Sequence, residues 1–310
     1  MSLEPTGVFN IDKPMGLTSH DVVARVRRLT GVRRVGHAGT LDPLATGVLL
    51  VCVGVATRIA EYLQASRKVY LAGVRLGEET DTYDVEGRIL LTRPVPSLTS
   101  QEMQQALQAF CGEIAQTPPP YSAVKLQGRP AYSYARAGVE LVLEPRPVTI
   151  FEAELVDWQS PNLVVRLSCS PGTYVRSLAH DLGQALACGG HVTALRRLAS
   201  GAWRVEDAVT LELLADLDGH WESHLHDIAS ALVMLPAVVL PEEEAHRFSL
   251  GQARPLAAET GELAAIENMA DVRVFGPAEN LIGIGKIDRR QALLLPHKIF
   301  YSPSAFSPSQ

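Results

Sequence analysis

The segment Gly36-His37-Ala38-Gly39-Thr40-Leu41-Asp42-Pro43-Leu44-Ala45-Thr46-Gly47 sets one carboxylate, Asp42, and one histidine, His37, among three glycines. An aspartate can act as a nucleophile or move a proton. Water around it weakens the first role, and burial alone would protonate it. It therefore needs a desolvated pocket with an opposite charge close by. Glycines at this density let the backbone turn tightly and approach a ligand closely. The apolar run Val48-Leu49-Leu50-Val51-Cys52-Val53 comes next and reads as a buried strand, leaving Asp42 at its lip. Asp42-Pro43 by itself would be an ordinary turn. No Lys-Ser or Lys-Thr pair follows the glycines, so the loop is not a phosphate cradle.

Several elements must carry this loop. Residues 8–11 read as a short strand ending in the turn Asp12-Lys13-Pro14. Ser19 is expected to cap a helix with Val22, Val23, Val26 and Leu29 on one face and Gly31 as its stop. Arg25, Arg27, Arg28, Arg33 and Arg34 lie on its other face and in the loop beyond, as a basic cluster leading into the glycine segment. Ile59, Tyr62 and Leu63 suggest a short helix, and residues 68–76 a strand. Thr99 and Glu102 form a capping-box pattern ahead of a helix reaching Phe110. Residues 148–157 and 163–170 read as strands and 173–187 as a helix. Residues 206–235 read as helical and acidic. Short strands at 272–275, 281–287 and 292–295 follow, and then a Ser/Pro-rich end expected to fray. Strands and helices mix without regular βαβ alternation, which predicts an α+β fold.

The chain has 310 residues, 46% hydrophobic and 20% charged, enough for one large domain and a small one. Cys52, Cys111, Cys169 and Cys188 are widely spaced with no C-x-x-C, which suggests neither a zinc knuckle nor a disulfide framework. His224 and His226 match no metal motif. No apolar run approaches a membrane span and no secretory leader opens the chain, so a soluble, cytoplasmic protein with reduced thiols is expected. The net charge of −6 is unevenly spread. Residues 1–201 hold 20 Lys+Arg against 18 Asp+Glu, residues 202–271 hold 3 against 14, and residues 272–310 hold 5 against 2. The acidity sits in one segment and the rest is mildly basic, a balance that admits nucleic-acid contact.

The glycine loop resembles, almost letter for letter, the catalytic loop of bacterial tRNA pseudouridine synthases of the TruB family. Further motifs match that family's order and spacing between residues 7 and 197. They are Gly7-Val8-Phe9-Asn10-Ile11-Asp12-Lys13-Pro14-Met15-Gly16-Leu17-Thr18-Ser19, Tyr70 in Lys68-Val69-Tyr70, and Pro119-Pro120-Tyr121-Ser122-Ala123-Val124-Lys125. Gly172-Thr173-Tyr174-Val175-Arg176-Ser177-Leu178 and Leu195-Arg196-Arg197 complete the set. The resemblance implies a pseudouridine synthase-type mixed, largely antiparallel sheet flanked by helices over residues 1–238. It also implies a small β-rich, PUA-like RNA-binding domain over 239–310. The implied reaction isomerises the uridine at position 55 in the T-loop of tRNA. It needs no cofactor and no metal; its partner is the tRNA T-arm, with no obligate protein partner.

By the same resemblance Asp42 is the nucleophile and Arg176 its partner, since a guanidinium fork can hold a carboxylate bidentately. Alone, Arg176 would read as a surface residue, and Tyr70 as strand packing. The family match makes Tyr70 the ring that stacks on the flipped base and could relay a proton. Tyr174 and Leu195 match positions lining the uracil pocket, and His37 is assigned to RNA contact. Lys13 and Pro14 buttress the loop, with Lys13 also a candidate for a phosphate. Lys125, with Tyr121 and Arg129, lies in a segment like the family's mobile thumb loop, which is either an RNA contact or a solvated loop. The basic cluster at 25–34 is either a solvated face or a contact to the RNA backbone. One departure stands out. Leu198-Ala199-Ser200 follows Leu195-Arg196-Arg197 where the family usually has a threonine, a change that leaves the catalytic positions untouched. Two other readings remain open: a noncatalytic tRNA-folding module, and an RNA-guided synthase subunit acting on ribosomal RNA. Asp42, Tyr70 and Arg176 together speak against the first, and the lack of a long basic C-terminal extension against the second.

Overall fold

The strand Ala45–Val53 is buried along almost its whole length, because apolar groups cover both of its faces. Leu49, Val51 and Val53 enter one core with Val22, Val26, Leu167 and Trp221. Val48, Leu50 and Cys52 point the other way, into a second core with Ile59, Leu63, Leu281, Ile284 and Phe300. Side chains alternate across a strand, so a continuous apolar run means two covered faces. The structure, a computed structural model, describes residues 4–300 apart from 123, 127, 138, 140–141, 218, 257–265 and 278.

Among the described residues nine strands form the main sheet: β1 (Gly7–Lys13), β2 (Val35–Ala38), β3 (Ala45–Val53), β4 (Lys68–Leu76), β5 (Gly112–Gln116), β6 (Arg146–Gln159), β7 (Asn162–Cys169), β8 (Gly190–Ser200) and β9 (Trp203–Arg204). Their order is β1-β3-β8-β4-β7-β6-β5, with β2 also on β3 and β9 on β8. All pairs are antiparallel except β3 with β8. Four helices matter for the site: α1 (Ser19–Thr30), α2 (Ala60–Gln64), α3 (Ser100–Gln108) and α4 (Val175–Ala185). A second sheet of five strands follows, in the order Ala237–Val239, Asp271–Phe275, Leu281–Asp288, Leu293–Ile299 and Arg254–Pro255. The α+β architecture with a β-rich C-terminal part is thus present.

Two sequence expectations need correction. Thr18, not Ser19, caps α1: its hydroxyl accepts from Asp21 N, and the Asp21 carboxylate accepts from Thr18 N. An acid three residues on selects Thr18 for a capping box, and Ser19 is freed for the interior. The 206–235 segment is not one helical stretch but short pieces, Val205–Asp207, Leu211–Asp216, Trp221–His224 and Ile228–Ala231. Thr210 and Asp227 each start a fresh turn through their side chains. Between the turns the backbone bonds to β1 instead, through Val209 with Asn10 and Asp12 and through His226 with Val8. Tertiary pairing overrides the local helical pattern here.

The C-terminal sheet is tied to α2. Lys298 Nζ meets Glu61 at 2.6 Å, donates to Arg58 O at 2.8 Å and lies 5.5 Å from the Tyr62 ring centroid. Arg58 in turn donates to Ile299 O. Removing residues 240–310 would uncover Ile59, Leu63 and Leu50, and would take Leu281, Ile284 and Phe300 out of their shared core. Each buried side chain of that size is worth about 1.5–3 kcal/mol, against a typical total of about 5–15 kcal/mol. The truncated chain is therefore expected to melt more than about 10 °C lower than the full chain, or to aggregate. Scanning calorimetry reads this directly; an unchanged melting temperature would mean that the shared core contributes nothing.

Candidate active site

Asp42 lies in the connection between β2 and β3, and six contacts hold the backbone carbonyls of Gly39 to Pro43 in that connection. Arg197 donates from Nη2 to Gly39 O at 3.1 Å and from Nη1 to Thr40 O at 3.4 Å. The buried Ser19 hydroxyl donates to Leu41 O at 3.0 Å and accepts from Leu41 N at 2.9 Å. Ala45 N donates to Asp42 O, and Gly16 N and Lys13 Nζ donate to Pro43 O. With its carbonyls held from Gly39 to Pro43, the loop presents Asp42 in a fixed direction. Gly47 makes this possible. It sits at φ +97° against the backbone of Arg197, where an added Cβ would lie 2.2 Å from the Arg197 carbonyl oxygen. Only glycine lets β3 and β8 approach this closely.

Arg176 brings the opposite charge. It lies on the first turn of α4, only 4% exposed, while the Asp42 side chain is 34% exposed. Its Nε lies 2.9 Å from Asp42 Oδ2, a lateral ion pair without hydrogen-bond alignment. The fork expected to hold Asp42 is committed elsewhere. Nη1 donates to Thr82 O at 3.0 Å and lies 3.5 Å from Asp84 Oδ2, and Nη2 donates to Tyr121 O at 3.0 Å. A bidentate grip on Asp42 is therefore replaced by a guanidinium that links two carboxylates and two loops.

A cavity of about 590 Å³ opens beside this pair. Asp42, Tyr70, Tyr174, Arg176 and Leu195 all line it, together with Lys68, Arg197 and the rim residues Glu61 and Gln64. Tyr70 is cross-strand neighbour to Arg197. Burial pushes its hydroxyl above the ordinary phenol range, with the Arg197 charge opposing that shift, so the group carries its proton at neutral pH. Tyr174 moves the same way, chiefly from burial and next from the Asp42 charge. The Gln116 amide grips the Tyr174 backbone at both ends, donating to its carbonyl at 3.1 Å and accepting from its N–H at 2.8 Å. Lys68 is buried, which lowers its pKa to about 8, and donates to three carbonyls at the end of α2: Leu63, Gln64 and Ser66. The wall of the cavity is thus pinned from β4.

Three of the expected site residues stand apart. Lys13 is fully buried and its ammonium is taken up by the carbonyls of Pro14, Leu17 and Pro43. Burial brings its pKa down to about 8, and nothing remains to reach a phosphate; it is a buttress alone. His37 is not on the cavity wall. It meets His20 edge-on at 5.4 Å, and burial lowers its pKa. Lys125 lies on the short strand Lys125–Leu126, and its side chain is outside the described residues. Arg25, Arg27, Arg28, Arg33 and Arg34 are exposed, as the amphipathic pattern of α1 requires.

Sequence reasoning missed Arg197, Asp84, Ser19 and Gln116. Ser19 and Arg197 lie inside motifs it quoted, but a hydroxyl beside a helix start reads first as a cap. An arginine in a strand gives no sign of a partner 158 residues away. Asp84 lies in an acidic stretch that reads as solvated, yet it is 4% exposed and faces Arg176. An isolated Gln116 carried no signal.

Comparison with known proteins shows the family. The model of the TruB family pseudouridylate synthase N-terminal domain matches residues 27–175, and that of the tRNA pseudouridylate synthase B C-terminal domain matches residues 176–246. The chain is 44% identical over 274 residues to tRNA pseudouridine synthase B of Syntrophotalea carbinolica, covering 87% of this chain and 89% of the relative. It is 43% identical over 294 residues to the protein of the same name from Burkholderia lata, covering 94% and 89%. A solved chain of an archaeal box H/ACA sRNP complex superposes with a TM-score of 0.74 at 24% identity, covering 98% of this chain and 89% of that one, which shows the shared fold. Matched by both family models and more than 40% identical to these relatives along most of its length, the chain belongs to the TruB family of pseudouridylate synthases.

Proposed function

We propose that this chain isomerises the uridine at position 55 in the T-loop of tRNA to pseudouridine, acting in the cytoplasm without a protein or guide-RNA partner. The observation that carries the reading is Asp42, in a loop whose carbonyls are held from Gly39 to Pro43, paired with Arg176 at a cavity walled by Tyr70, Tyr174 and Leu195. A loop uridine must leave its stack to reach a site of this kind. The Tyr70 ring offers it a stacking face, worth roughly 1–3 kcal/mol, while Leu195 keeps water out. The N1–C1′ bond breaks, the uracil turns, and a C5–C1′ bond forms. C5 gives up a proton and N1 gains one, so no atom enters or leaves and no redox partner is required. Addition to the base and attack at the sugar both begin from an Asp42 oxygen. Tyr70, whose buried hydroxyl keeps its proton at neutral pH, is the candidate to pass the proton.

Residues 239–310, which carry most of the C-terminal sheet, supply phosphate contacts outside the cleft, supported by the excess of Lys and Arg over residues 272–310. The guide-RNA reading is the weaker one: the H/ACA likeness is at 24% identity, whereas relatives named as tRNA enzymes reach 47%. Among the described residues no helix is long and apolar enough to cross a membrane. Pseudouridine mapping on an unmodified tRNA transcript with purified chain alone tests the proposal. Modification confined to the T-loop uridine is expected; activity only with an added guide RNA would overturn it.

A further inference from the structure

Tyr83 has φ +63°, in the left-handed region that a bulky side chain rarely adopts. Such a conformation persists only where the surroundings hold it. Here the Tyr83 ring stacks on His180 with 3.9 Å between centroids and 11° between planes. His180 lies on α4 one turn after Arg176, on the same face of the helix. The two neighbours of Tyr83 are the groups that Arg176 engages: Thr82 through its carbonyl at 3.0 Å and Asp84 through its carboxylate at 3.5 Å. The Tyr83 carbonyl is tied to β8 by Val192 N at 3.0 Å, and Val85 N returns a bond to Val192 O. Glu79, beside the stack, accepts from Gln184 Nε2 at 2.8 Å, one further turn along α4. One helix face therefore grips the 79–84 loop three times in succession, at Arg176, His180 and Gln184.

We infer that the Tyr83–His180 stack is a positioning device for the reaction: it locks the left-handed turn that delivers Thr82 and Asp84 to Arg176, and so sets the Arg176 direction toward Asp42. Tyr83 and His180 touch neither the cavity nor Asp42, and they act through Arg176. The stack deepens the proposed isomerase reading and rests on it.

The test measures single-turnover pseudouridine formation, tRNA affinity and melting temperature for Tyr83→Gly, Tyr83→Phe, His180→Ala and the Tyr83→Gly/His180→Ala double variant. Glycine accepts the left-handed conformation without strain, so Tyr83→Gly keeps the fold and its melting temperature while removing the stack. Its rate at saturating tRNA should fall roughly tenfold or more, with affinity nearly unchanged. Tyr83→Phe keeps the ring face and should stay near wild type. His180→Ala should match Tyr83→Gly, and the double variant should be no slower than either single one. A wild-type rate in Tyr83→Gly would overturn the inference, as would a Tyr83→Phe variant as slow as Tyr83→Gly. Wild-type protein inactive in the same assay would remove the isomerase reading as well; an active wild type beside an unaffected Tyr83→Gly removes the stack alone.

Discussion

Asp42→Asn is expected to lower single-turnover isomerisation of tRNA by at least about four orders of magnitude while tRNA affinity changes by less than about threefold. The substitution is nearly isosteric, so the loop bonds at Gly39, Thr40, Leu41 and Pro43 are kept. What disappears is the anionic oxygen. An amide oxygen is a far weaker nucleophile, and among the described residues no other carboxylate faces the cavity from the same direction: Asp84 is buried behind Arg176, and Glu61 stands at the rim. The Asp42–Arg176 contact is lateral and open on the Asp42 side, so its loss costs about 1 kcal/mol of stability or less. A small stability change beside a very large rate change separates a chemical role from a structural one. Deamidation back to aspartate must be excluded by mass spectrometry. Genuine turnover by the asparagine protein would remove Asp42 from the role of nucleophile.

How much of this was legible beforehand depends on the range of the interactions. The strand Lys68–Leu76 could be read from its sequence because its side chains alternate strictly between buried and half-buried positions. The Thr99–Glu102 capping box is likewise local, with both partners three residues apart. Asp42, Arg176, Tyr70, Tyr174 and Leu195 came from family motifs, and the fold brings all five to one cavity. What could not be read was the support around them. Arg197 looks like any strand arginine until β8 runs parallel to β3 and turns its guanidinium under Gly39. Lys13 looks available to a phosphate until three carbonyls close on it. The 206–235 segment has helical composition, yet its backbone bonds to β1 at two points and breaks into turns. The partners of Arg197 and of the 206–235 segment are distant in sequence, those of Lys13 partly so, and in each case backbone groups make the contact and leave no trace in residue type.

The same distinction bears on how the two halves of the chain cooperate. The motifs all lie before residue 200, which suggests a catalytic part with a detachable RNA-binding tail. The second core shows otherwise: β3 presents Val48, Leu50 and Cys52 to the side where Leu281, Ile284 and Phe300 pack. Lys298 holds α2 through Arg58 and Glu61, and α2 carries the cavity rim at Glu61 and Gln64. The C-terminal sheet thus braces one wall of the site in addition to any contact with RNA.

Arg176→Lys is expected to fail in a different way from Asp42→Asn, losing rate and stability together. A lysine keeps the charge but gives up the planar arrangement that reaches Asp42, Asp84, Thr82 O and Tyr121 O at once. Its single ammonium can approach one carboxylate closely. If it turns toward Asp84, Asp42 loses its counter-charge; if it turns toward Asp42, the 6%-exposed Asp84 side chain is left short of a partner. Thr82 O and Tyr121 O lose a donor in either case, each worth about 1–3 kcal/mol where water cannot replace it. Equilibrium unfolding in urea should show a loss of about 2–4 kcal/mol, and the single-turnover rate at saturating tRNA should drop by about 10²–10³. Loss of stability with a normal rate would make Arg176 a structural clamp. A normal rate and normal stability would show that charge alone suffices, and the four-way geometry around the guanidinium would then have no part in the reaction.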